Sequence, residues 1–70
     1  MNSAHPLQET RFEFVKDNTL SPQLIRHLYH IPKIGEWVWL VEKEVWRGGY
    51  ITDVTWSIDE QLVTIRVEEK

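Results

Sequence analysis

The chain has no cysteine, and only three glycines, three prolines and one methionine in 70 residues. Without cysteine there can be no disulfide, no thiolate zinc site and no cysteine nucleophile. Glycine is too sparse for a phosphate-cradling loop: Gly48-Gly49 lacks the Walker spacing and lysine and leads into a strand pattern, so a bulge or turn is expected there. No apolar run approaches the ~18 residues that span a membrane. Met1–Thr10 has neither a positive start nor an apolar stretch, so no secretory signal is expected and a cytoplasmic location is. A chain this short buries only ~60% of the surface exposed by its unfolded form. Its core rarely supplies more than ~3–5 kcal/mol, which makes a homodimer one expected source of added stability.

Eight basic and eleven acidic residues give a formal net charge of −3. The imbalance sits in the second half: residues 35–70 carry four basic and eight acidic side chains, against four and three in residues 1–34. Nucleic-acid binders need a basic stripe to neutralise phosphates, so this distribution disfavours that class. The residues available to such a regulator, as the alternative function, are the scattered Arg11, Arg26, Lys33, Arg47 and Arg66.

Residues 1–9 show no periodicity and are expected to be a flexible tail, with residues 10–70 as a single domain. Arg11–Lys16 places Phe12 and Phe14 on one face, the alternation of a half-buried strand. Leu20-Ser21-Pro22 then reads as a helix start, with serine as N-cap, proline at the first helical position and a Leu20–Ile25 staple. Leu24, Leu28 and Ile31 extend an apolar stripe until Pro32, so the pattern predicts a helix over Pro22–His30. Three strands follow: Glu36–Glu42, Tyr50–Trp56 and Leu62–Glu68, the last two joined by a Ser57–Glu60 connection. The expected fold class is α+β and mostly β, in the order β-α-β-β-β, with one packed helix on a curved antiparallel sheet or half-barrel.

Catalytic chemistry finds little support. His27 and His30, three apart on the expected helix and joined by His5, could reach one metal, but no carboxylate orients them and a polar-face role is the better reading. Ser3, Ser21 and Ser57 lack a glycine-rich elbow, and Asp59-Glu60 and Glu68-Glu69 read as solvated turn and terminal charges. No enzyme activity, metal or cofactor is expected.

What the sequence does have is tryptophan. Five of its eight aromatic residues fall between positions 37 and 56: Trp37, Trp39, Trp46, Tyr50 and Trp56. In the Glu36–Glu42 strand Trp37, Trp39 and Val41 share one face while Val38 and Leu40 take the other, so both faces are apolar. A small sheet normally keeps one face wet. The second apolar face therefore needs barrel closure, a second chain or a partner to cover it. Tryptophan and tyrosine dominate protein-binding hot spots, which makes these five the candidate contacts of a non-catalytic, protein-binding or self-assembling module. Base stacking by the same rings would normally come with a basic groove.

The run Ile31-Pro32-Lys33-Ile34-Gly35-Glu36-Trp37-Val38 resembles the opening strand of SH3-like small barrels, the group containing KOW and Tudor modules. Gly48–Val54 and Val63–Val67 are similar to their later strands. The resemblance covers residues 31–68, about half the chain, and the chain is also similar in scale to small open reading frames of phages and mobile elements. It implies a binding module, for which Trp37, Trp39 and Tyr50 could be drawn as an aromatic cage for a methylated amine. It does not choose the partner.

Overall fold

The computed structural model describes residues 7–70, and among these there is no helix. Six strands form one sheet: β1 (Gln8–Lys16), β2 (Thr19–Leu20), β3 (Leu24–Leu28), β4 (Trp37–Glu42), β5 (Val45–Ser57) and β6 (Leu62–Glu69). β1 begins inside the stretch expected to be tail; residues 1–6, with His5 and Ser3, lie outside the described residues.

The fold class is all-β, and the expected helix is a strand. Leu24 is buried, Arg26 and Leu28 are half-buried, and Ile25 and His27 are exposed, which is a period of two. A Leu–Leu spacing of four satisfies helix and strand alike, so the stripe alone could not separate them. A lone helix of about nine residues is marginal in water, and β1 offers its whole flank as a partner. Ser21 and Pro22 serve a bulge rather than a cap. Val15 pairs with Leu20 and Phe12 with Leu24, so three residues, Ser21 to Gln23, oppose two on β1. Ser21 N–H donates to the Phe14 carbonyl at 2.9 Å, and Phe14 N–H donates back to Ser21 Oγ at 3.3 Å. The hydroxyl thus stands where a ladder carbonyl would be, and Pro22 sits where no ladder donor is required.

The sheet is mixed, not antiparallel. Its order is β2-β1-β6-β5-β4, with β3 also on the outer flank of β1, and β1 runs parallel to β6. These two central strands bury Thr10, Phe12, Phe14, Val63, Ile65 and Val67, while Thr10 Oγ1 satisfies itself on the Gln8 carbonyl at 3.1 Å. With no second layer, the apolar face must be covered by the sheet itself. Leu24 and Leu28 from β3 and Val38 and Leu40 from β4, at opposite edges of the sheet, pack against one common core. The sheet is therefore rolled, and its two edges face each other across a seam.

β5, thirteen residues in a molecule 47 Å long, carries two features that the sequence pattern hid. Thr52 is an extra residue between the Ile51–Val67 and Asp53–Arg66 pairs, so the alternation changes phase there. Gly48-Gly49 is no turn: both residues are buried in mid-strand opposite Trp39 and Val38. The turn lies earlier, at Lys43-Glu44, where both residues have left-handed φ of 51° and 68° and close a two-residue hairpin.

Candidate functional site

Trp37, Trp39 and Val41 on β4 stand directly opposite Tyr50, Gly48 and Trp46 on β5, on the face of the sheet turned away from the core. This brings together four of the five expected contacts. Trp37 meets Tyr50 edge-to-face with ring centroids 4.7 Å apart and Trp39 at 5.4 Å; Trp39 reaches Trp46 at 6.4 Å. Gly48 makes room for this arrangement, since a Cβ there would come within 2.6 Å of the Trp39 ring. Gly49 is needed for a different reason: its Cβ would collide with the Glu68 carbonyl of β6. The rings remain open to solvent, from 37% exposure at Trp37 to 66% at Trp46.

Trp56 is elsewhere. The phase change at Thr52 brings Val54 and Trp56 to the core side already held by Ile51, opposite Ile65 and Val63. There the half-exposed Trp56 ring borders one hollow with Ile31, Pro32 and Ile34 and another with Leu7, His27 and Ile58. Read without the bulge, strict alternation would put Trp56 on the same face as Tyr50; the inserted residue removes it from that face.

The scattered basic residues do not form one patch: Arg26 and Lys33 border a common groove, while Arg11, Arg47 and Arg66 each lie beside a carboxylate. Arg47 donates twice to Glu69 (3.1 and 2.8 Å) and once to Glu42 (3.4 Å), with its guanidinium 4.6 Å from the centroid of the Phe14 ring. Arg66 pairs with Glu13 at 3.2 Å, and Arg11 lies 4.0 Å from Glu9. Arg26 donates to the Ile25 and Val41 carbonyls at 2.8 and 2.7 Å, and Lys33 lies in the loop before β4. The hydrogen bond from Arg47 holds the Glu69 carboxyl below its ordinary value, and the same contact raises Arg47.

His27 lies in β3 and His30 beyond its end, so the helical spacing that would have aimed both at one ion does not exist. No group of three or more metal-ligating side chains occurs among the described residues. No helix there is long and apolar enough to cross a membrane.

One feature had no signal in the sequence. The seam between β3 and β4 is a groove of about 910 Å³, floored by Phe12, Leu28, Val38 and Leu40 and bridged by the Arg26–Val41 hydrogen bond. Trp39 and Trp46 border it, so the aromatic face continues over the β4 edge into the groove. No family model matches the chain, and no curated protein or solved structure matches it either.

Proposed function

We propose that the protein is a non-catalytic binding module whose β4–β5 aromatic face docks on another protein. The observation that carries this reading is the contiguity of Trp37, Trp39, Tyr50 and Trp46 on one exposed face. At ~150–250 Å² per ring, the exposed fractions leave on the order of 300–500 Å² of aromatic surface, the size at which a patch marks an interaction site. Ring geometry separates the possible partners. The interplanar angles of 61°, 85° and 81° turn neighbouring rings out of a common plane, which does not favour a run of stacked bases. Centroids only 4.7 and 5.4 Å apart put one ring's edge on the next ring's face, so there is no open cage for a methylated ammonium. A ridged aromatic surface suits interdigitating side chains. The nucleic-acid alternative is weaker because Arg47 and Arg66 are tied to carboxylates and Arg26 to carbonyls. A cytoplasmic setting belongs to the same proposal.

The test is molar mass by light scattering over a concentration series, with tryptophan emission and acrylamide quenching on the same samples. Red-shifted, quenchable emission from a monomer supports a free docking face, and Trp39→Ser/Trp46→Ser should remove much of the quenchable intensity, leaving the half-exposed Trp56 as the main remainder. A concentration-dependent dimer with protected indoles would make a second copy the partner. A monomer with blue-shifted, unquenchable emission would overturn the reading.

A further inference from the structure

The β4 edge beside the aromatic face is built to accept a strand. Lys43-Glu44 is a two-residue turn, so Glu42 and Val45 form its closing hydrogen-bonded pair, and bonded pairs recur at Leu40–Arg47 and Val38–Gly49. The intervening Trp37, Trp39 and Val41 therefore aim their N–H and C=O groups away from β5, along the free edge. Of these groups, the Val41 carbonyl accepts from a side chain across the seam, Arg26 Nη2 at 2.7 Å. β3 faces the same seam with its own unpaired flank, since its other flank is committed to β1. The groove between the two edges has an apolar floor. Its lining carries two cations, Arg26 and Lys33, against a single carboxylate, Glu36, which already accepts from the Lys33 backbone N–H at 2.6 Å. In a chain of net charge −3, this strip runs against the overall sign.

We infer that the partner enters this groove as an extended, acidic peptide segment that adds a strand to β4. This rests on the proposed docking function and names its partner. Main-chain bonds to Trp37, Trp39 and Val41 supply register, apolar side chains fill the floor, and a carboxylate draws Arg26 off the Val41 carbonyl. A second copy of the chain is a poorer occupant, because β5 stands behind its β4 and the incoming sheet would meet β3 across the seam.

The probe is a seven-residue acetylated, amidated peptide of alternating valine and threonine, flanked by glutamates. It is compared with a lysine-flanked counterpart and with a version whose alternate backbone amides are N-methylated. Binding is read by amide cross-peaks of the labelled protein, and pairing by hydrogen exchange at Trp39 and Val41. The acidic peptide should bind saturably, slow exchange at those two amides by about tenfold or more, and bind about tenfold more tightly than the lysine peptide. N-methylation should abolish binding, and Arg26→Ala should remove most of the preference for glutamate. Val41→Pro removes only an outward N–H, which an edge strand tolerates, and should leave a folded protein that no longer binds. If that variant unfolds, the N-methylated peptide and Arg26→Ala decide the matter. No saturable binding, equal binding of the lysine peptide, or binding that leaves both amides unprotected overturns the inference. Shifts confined to Trp37, Trp46 and Tyr50 with free edge amides would overturn strand addition while leaving the docking face in place.

Discussion

Arg47 joins four strands through one guanidinium: it belongs to β5, lies on Phe14 of β1, grips Glu69 of β6 and reaches Glu42 of β4. That grip gives the fold a pH dependence of known sign. The Glu69 carboxyl is depressed below its ordinary 4.5, chiefly by the hydrogen bond from Arg47. A depressed carboxyl contributes stability that is whole above the unfolded value and is lost as pH falls through the folded value. Urea midpoints should therefore drop on acidification below about 4.5, and Glu69→Gln should flatten that slope; an unchanged slope would disprove the assignment. Ser21 makes a second prediction. Ser21→Ala removes the acceptor of the Phe14 N–H and should cost about 1–2 kcal/mol by denaturant unfolding. Ser21→Thr keeps the oxygen and should recover most of that loss. The sequence marked Ser21 as a helix cap, and the structure corrects this: its hydroxyl accepts from the Phe14 N–H of the neighbouring strand. The sequence alone could not show whether that N–H belonged to a helix turn or to a neighbouring strand.

At the scale of elements, β4, the latter part of β5 and β6 were legible because β-branched and aromatic residues crowd them and few helix formers compete. The two central errors came from one cause, the inserted residue. The bulge at Ser21–Gln23 made a broken strand look like a capped helix, and Thr52 reversed the face on which Trp56 falls. Neither leaves a mark in a single sequence, because a bulge is a mismatch between two strands. The glycine pair was misplaced for a similar reason: its need is set by Trp39 and Glu68, which only the pairing brings near. The two glycines should differ on substitution. Gly48→Ala meets the ring of an exposed tryptophan that can swing aside, so the fold should survive with an altered Trp39 environment, seen in near-ultraviolet dichroism. Gly49→Ala meets backbone and should destabilise the protein by more than about 2 kcal/mol. Equal losses would mean that the β5–β6 approach is looser than described. The turn offers the opposite sign. Asn-Gly in place of Lys43-Glu44 suits left-handed φ at both positions and should raise stability by roughly 1 kcal/mol in thermal unfolding.

Across residues 7–70, one rolled sheet explains how so short a chain, which has no cysteine, buries a core. Rolling covers one face and leaves the other, with Trp37, Trp39, Trp46 and Tyr50, open to solvent. The strands that bury most, β1 and β6, lie near opposite ends of the chain, so their contacts are long in sequence. Such topologies refold in milliseconds to seconds, and stopped-flow tryptophan fluorescence should find that range; a microsecond phase carrying the full amplitude would contradict the pairing.

The same adjacency governs what happens while the chain is being made. At about 5–20 residues per second, the ribosome releases β1 seconds before its parallel neighbour β6. Until Val63–Val67 emerge, Phe12 and Phe14 lack the parallel strand that completes their burial. The core residues of β1 therefore stay partly uncovered through most of this stretch of synthesis, and the sheet closes only once β6 is available to pair.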